Sequence, residues 1–202
     1  MKATKEKLII FVCTGNTCRS PMAEAVFRYE LKRRGKENVA VRSAGTEASN
    51  RGGMHPHSLQ TLETHGLTVE NFAPTQLDEE MILSAYAIIC MTDEQRDLVS
   101  YLRWKLLKGE ERAENNVYSF SDFCGYQVPD PYGYGIEAYE KTYEAISSAT
   151  EPIFAALLSE EKPKKPRKPR ATKSGAAKKK TSKKSTKKKT GQAGKRRPKK
   201  EK

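Results

Sequence analysis

Cys13 and Arg19 stand six positions apart in the stretch VCTGNTCRSP, residues 12–21. A cysteine is a nucleophile as its thiolate, and a guanidinium is the side chain whose fork matches two oxygens of a phosphate. Between them lie Gly15 and Asn16, the residue types that best tolerate left-handed backbone. A loop with that freedom can turn the amides of Thr14, Gly15, Asn16, Thr17 and Cys18 toward one anion. Ser20 and Pro21 then read as the N-cap and first residue of a helix, whose positive end adds to the cradle. So strong an electropositive setting lowers a thiol pKa by one to several units from about 8.5. Ser20 is placed to donate a hydrogen bond to the thiolate. The chemistry this predicts is phosphoryl transfer to Cys13, with Arg19 as clamp, followed by hydrolysis of the phosphocysteine.

Such a reaction also needs an acid for the leaving group. Asp130, in VPDPYGYG at residues 128–135, is the candidate, with Tyr132 and Tyr134 as walls for a substrate side chain. Locally the same residues fit an ordinary Asp-Pro turn with solvated tyrosines. A lone C-x5-R likewise fits a core thiol ending a buried strand. What separates the readings is context, because the cysteine follows a strand and the arginine leads into a helix. The nucleotide-binding pattern G-x-x-x-x-G-K-[ST] is absent from the sequence. His55, His57 and His65 have poor spacing for a metal and read as surface residues.

The elements that must position these groups follow from periodicity. Residues 7–13, KLIIFVC, form a continuous apolar run, as expected of a strand buried on both faces. A helix follows to Gly35, its core stripe Ala23, Val26, Phe27 and Leu31. Residues 39–43 predict a second strand, 56–65 and 78–84 short helices, and 86–91 a third strand. A helix from Thr92 through Leu98, Leu102 and Leu106 comes next, with Trp104 read as helix packing. Residues 116–120 predict a short strand, 121–135 a long loop, and 136–158 a final helix. The alternation specifies an α/β fold with a parallel sheet and helices on both faces.

Composition divides the chain. Residues 162–202 carry 21 Lys/Arg against the single Glu201, and their only aliphatic side chains are four alanines. Residues 1–161 carry 17 Lys/Arg against 24 Asp/Glu. The reading is one acidic domain, 1–161, with enough chain to bury a core, and a disordered Lys/Pro-rich tail, 162–202. The tail suits nucleic acid or another polyanion bound through phosphates, without base stacking, since no aromatic residue follows Phe154. No signal peptide or membrane-spanning run is visible, and four sparse cysteines point to a reducing cytoplasm.

VCTGNTCRSPMAE at 12–24 together with DPYG at 130–133 resembles the low-molecular-weight protein tyrosine phosphatase family, over essentially residues 7–158. The resemblance implies an open four-stranded parallel sheet, phosphorylated protein substrates, and neither metal nor organic cofactor. It implies Cys13 as nucleophile, Arg19 as phosphate clamp, Asp130 as acid, Asn16 as loop organiser, Ser20 as thiolate partner and Tyr132 as pocket wall. It also implies Cys18 as a second loop cysteine able to pair reversibly with the nucleophile under oxidation. The form CTGNTCRSP is closer to the bacterial protein arginine phosphatases, in which threonine at the place of Thr14 goes with phosphoarginine selectivity. Phosphotyrosine remains the alternative substrate. Thiol-dependent arsenate reductases share the loop but need two further neighbouring cysteines, and Cys90 and Cys124 lie far apart in sequence.

Overall fold

The structure is a computed structural model that describes residues 6–49, 51–69, 71–108 and 116–159. The expected basic tail, its polyanion partner and the boundary at residue 161 lie outside the described residues. Four parallel strands form one sheet: β1 (Lys7–Cys13), β2 (Val39–Gly45), β3 (Ala87–Cys90) and β4 (Val117–Ser119). Their spatial order is β2-β1-β3-β4, so successive crossovers leave β1 in opposite directions. The point where the order reverses lies at the carboxyl end of β1, where open α/β sheets bind ligands.

The seven helices among the described residues are α1 (Arg19–Arg33), α2 (Pro56–Thr64), α3 (Glu79–Ser84), α4 (Asp93–Leu106), α5 (Phe120–Cys124), α6 (Ile136–Ser148) and α7 (Thr150–Leu158). Strand alternation sorts them into two layers. Ile9 and Phe11 of β1 and Ile89 of β3 pack with Phe27 of α1, Leu62 of α2, Ile146 of α6 and Phe154 of α7. Ile10, Val12, Ile88 and Cys90 pack on the other face with Ile82 of α3 and Val99 of α4. The α/β architecture with helices on both faces is therefore as the periodicity specifies. No helix among the described residues is long and apolar enough to cross a membrane.

Four local readings change. α1 begins at Arg19 with Cys18 as its N-cap, two residues earlier than the Ser-Pro signal implied. Ser20 thus sits inside the first turn, and its hydroxyl is free for another partner. The expected loop after β4 opens with α5, started where Asp122 accepts the backbone N–H of Ser119 at 2.8 Å and ended by Gly125 at φ 76°. The final helix is two helices, broken at Ala149, because Pro152 has no N–H to offer the Ser148 carbonyl. Trp104 is 55% exposed and lies against Tyr101 on the outer face of α4, so the expected packing role is not what it does.

Phe11 is the centre of the larger layer. Its ring lies 4.5 Å from that of Phe27 and 6.2 Å from that of Phe120, and Phe27 stacks on Phe154 at 5.6 Å. Removing a fully buried ring from such a cluster leaves a cavity that the neighbours fill only partly. Phe11→Ala should lower the free energy of unfolding by about 3–5 kcal/mol, read as a fall in the urea midpoint with unchanged slope.

Candidate active site

The loop from Cys13 to Arg19 joins the end of β1 to the start of α1, and its shape depends on one buried asparagine. Asn16 takes the left-handed conformation, φ 51°, and is fully buried. Its backbone N–H donates to Cys13 Sγ at 3.3 Å, its Nδ2 donates to Ser20 Oγ at 2.9 Å, and its Oδ1 accepts from the Thr75 N–H at 2.7 Å. Ser20 Oγ in turn lies 3.0 Å from Cys13 Sγ and 3.2 Å from the Ala44 carbonyl. The hydroxyl has one proton and two acceptor positions. With Cys13 as a thiol, the S–H can donate to Ser20 while Ser20 donates to Ala44. With a thiolate, the Ser20 proton can turn to sulfur. Either proton state of Cys13 leaves the network satisfied.

Over this loop a cavity of about 230 Å³ opens, lined by Cys13, Thr14, Gly15, Thr17, Cys18, Arg19, Asp130 and Tyr132. Six sequence-predicted residues of the cradle and two of the acid loop, Asp130 and Tyr132, thus meet, Asn16 and Ser20 lying beneath as supports. The first-turn amides of α1 have no partner within the helix, and that end of the helix opens on the cavity. Arg19 is almost wholly buried, and its Nη2 donates to Asp130 Oδ2 at 2.5 Å, while the Asp130 side chain is half exposed. Arg19 and Asp130 therefore face each other across the mouth. An anion entering the cradle would compete with Asp130 for the guanidinium. Tyr134 is exposed and does not line the cavity.

Several supporting residues gave no clear signal in the sequence. Gly45, at the end of β2 opposite Cys13, is pressed against the loop: a Cβ there would stand 2.5 Å from the Thr14 carbonyl oxygen and 2.9 Å from the Asn16 nitrogen. Gln95, in the first turn of α4, donates through Nε2 to Thr14 Oγ1 at 3.0 Å. Asp93 accepts from Ser119 and Gln127 side chains at 2.6 and 3.1 Å, which fastens the chain leading to Asp130 onto α4. Hydrogen bonds from the Ser119 hydroxyl first and the Ser121 hydroxyl next, with smaller help from Arg96 and Gln127, hold the Asp93 carboxyl below its ordinary pKa.

The histidines are not all surface residues. His55 caps α2, its Nδ1 accepting from the His57 N–H at 3.3 Å, and its ring stacks on buried Tyr139 at 4.9 Å. The signal for this was Pro56 at the first helical position, which makes the preceding residue a cap. The Tyr139 hydroxyl reaches Cys18 Sγ at 3.8 Å, so this ring stack backs the cradle. His65 is exposed, as expected, and pairs with Glu140. Burial pushes the Cys90 thiol strongly upward and so keeps it neutral. Among the described residues, no group of three or more His, Cys, Asp or Glu side chains is gathered in a way that could hold a metal.

With the geometry in place, comparison with known proteins is decisive at the level of family. The model of the low molecular weight phosphotyrosine protein phosphatases matches residues 8–164. The chain belongs to that family. A protein-arginine-phosphatase of Bacillus subtilis (strain 168) is 34% identical over 74% of this chain and 95% of its own length. The low molecular weight protein-tyrosine-phosphatase PtpB of Staphylococcus epidermidis is 28% identical over 72% of this chain and 95% of its own. A solved YwlE arginine phosphatase, in which a phosphorylated active-site serine replaces cysteine, superposes with a TM-score of 0.66 at 32% identity, covering 76% of this chain and 97% of that one. Like its relatives, this low-molecular-weight phosphatase is an enzyme of protein dephosphorylation.

Two outcomes follow from the supports of this phosphatase loop. Gly45→Ala should push the loop out of register and lower kcat/KM by about 10²-fold, as a misplacement near 1 Å does, with circular dichroism little changed. His55 is held below the ordinary histidine pKa by burial and then by the neighbouring His57. The unfolded chain therefore takes up a proton at His55 before the folded one does. Stability is fully present above the unfolded value near 6.5 and falls as pH drops below it, toward the depressed folded value. His55→Asn keeps an acceptor for the His57 N–H and removes the titration, so the loss of Tm between about pH 7 and 5.5 should be smaller in the variant.

Proposed function

We propose that this phosphatase hydrolyses phosphoarginine in proteins through a phosphocysteine on Cys13. The observation that carries the reading is the Thr14 side chain, a hydroxyl on the cavity wall held by Gln95, where a bulky aliphatic group would only pack. The name of the Bacillus subtilis relative, and the phosphorylated active-site serine of the solved arginine phosphatase, support it.

In the proposed cycle, phosphate displaces Asp130 from Arg19, and the guanidinium grips two phosphoryl oxygens. Cys13 attacks phosphorus as a thiolate, to which the Ser20 hydroxyl donates a hydrogen bond until the forming S–P bond takes up its charge. An S–P bond forms and the P–N bond breaks, its electron pair staying on nitrogen. A phosphorylated guanidino group carries its own positive charge, so it departs as neutral guanidine without taking a proton from the enzyme. Asp130 can stay ionised and pair with it. Water then attacks the phosphocysteine, Asp130 accepts the water proton, and the thiolate leaves with phosphate released. A phenolate leaving group has no such charge, and Asp130 would have to enter that reaction protonated.

Phosphotyrosine is the second reading. Tyr132 stands 68% exposed at the cavity and edge-on to His55 at 6.0 Å, a wall on which a phenyl ring would pack, and PtpB is named a tyrosine phosphatase. All four cysteines are free, which supports work in a reducing compartment such as the cytoplasm.

The test is kcat/KM on matched phosphoarginine and phosphotyrosine peptides. Wild type should favour phosphoarginine by at least about tenfold, Thr14→Ile should reverse the order, and Cys13→Ser should abolish both activities. Preference for phosphotyrosine, unchanged by Thr14→Ile, would make the threonine incidental and overturn the phosphoarginine reading.

A further inference from the structure

The outer side of α4 carries large apolar groups where a surface helix is ordinarily polar. Leu98, Tyr101 and Trp104 are 44%, 55% and 55% exposed, and the Tyr101 and Trp104 rings lie nearly parallel with centroids 6.1 Å apart. Lys105 Nζ sits over the Tyr101 ring at 5.6 Å. The inner side of the helix is already committed. Val99 is buried in the smaller core layer, Leu102 and Leu106 pack against that layer, and Gln95 reaches Thr14. Helical spacing gathers Asp97, Leu98, Tyr101, Trp104 and Lys105 on one face, three and four positions apart. Scattered single apolar residues on a surface need no explanation, but a contiguous patch of three marks a site of interaction.

Charge on this face says what would cover it. Glu94 and Asp97 precede the apolar centre, and Lys105 and Lys108 follow it. Asp97 meets Arg96 of its own helix at 2.9 Å, while Glu94, Lys105 and Lys108 form no ion pair among the described residues. Turned end for end, the face is its own complement. An antiparallel copy centred on Tyr101 sets Leu98 against Trp104, Asp97 against Lys105, and Glu94 against Lys108. A parallel copy would instead set Asp97 against Asp97 and Lys105 against Lys105, and like charges so placed repel.

We propose that the outer face of α4 binds a second copy of this chain, as an antiparallel helix pair with Tyr101 on the two-fold axis. Such an interface is isologous, the same patch serving both partners. Tyrosine and tryptophan at its centre are among the residue types that concentrate binding energy, and the charged pairs at either end fix direction and register. α4 is about 20 Å long, so one helix pair falls at the small end of interface sizes. The dimer is therefore weak, with a Kd on the order of 10–100 μM. None of the face residues lines the cavity over the phosphate loop, so association does not consume a residue of the reaction.

The experiment is analytical ultracentrifugation of the full chain between about 1 and 300 μM, in about 0.15 M salt. Wild type should show a reversible monomer–dimer equilibrium. Trp104→Glu should raise Kd at least about tenfold and leave kcat/KM on para-nitrophenyl phosphate unchanged, which shows that the fold is intact. Asp97→Lys and Lys105→Asp should each weaken the dimer by about three- to tenfold, and the two together in one chain should restore it, because each new lysine then faces a new aspartate of the other copy. If Trp104→Glu does not fold, this charge exchange carries the test. A monomer at every concentration overturns the proposal and leaves the face to a different protein. A dimer indifferent to Trp104→Glu and to both charge reversals forms through another surface and also overturns it. Weakening by each reversal without recovery in the double variant overturns the antiparallel pairing.

Discussion

Everything at the carboxyl end of the sheet depends on Asn16 holding a left-handed turn in a fully buried position. A glycine could adopt the same φ, yet it would leave the Thr75 N–H and the Ser20 hydroxyl without their amide partner. Asparagine is among the few side chains that combine tolerance of this conformation with a donor and an acceptor. Its three hydrogen bonds join the loop to Cys13, to the first turn of α1 and to the segment that leads into α3. The loop is therefore rigid before any anion arrives, and a preformed cradle need not be reorganised during reaction.

The mouth of the cavity is arranged differently. Arg19 and Asp130 come from opposite ends of the domain, 111 residues apart, and meet in a pair that is buried on the arginine side and half exposed on the aspartate side. Such a pair holds the guanidinium near the cradle and leaves the carboxylate partly solvated. In the proposed cycle a dianionic phosphate offers Arg19 two oxygens and a greater charge than one carboxylate does, which favours the exchange of partners. The support for this exchange lies outside the cavity, in the hydrogen bonds of Asp93 with Ser119 and Gln127.

Much was legible in the chain itself. The apolar run of β1, the loop composition and the helix after it located the cradle, and Asp130 was identifiable from its Pro-flanked setting and the family resemblance. The errors lie where local signals compete. Ser-Pro marks a helix start, yet α1 begins at Arg19, because the loop that brings Asn16 under Cys13 is short and turns into the helix early. The histidines looked solvated because a His-Pro-His triplet is polar in isolation. Only the arrival of Tyr139 from α6 turns His55 into a packed ring.

What the sequence by itself determined is the chemistry: a thiol, a guanidinium, a flexible loop and a helix start in one short stretch, together with a strand pattern that admits only a parallel sheet covered on both faces. These are local properties, carried by residue type and spacing. Tertiary structure alone decided which distant groups complete the site. Gly45 matters because β2 pairs beside β1 in a register that leaves no space for a Cβ. Gln95 matters because β3, the neighbour of β1 on the other side, delivers the start of α4 to Thr14. Neither contact has a signature in sequence, since both are set by strand order, and strand order is a property of the packed sheet.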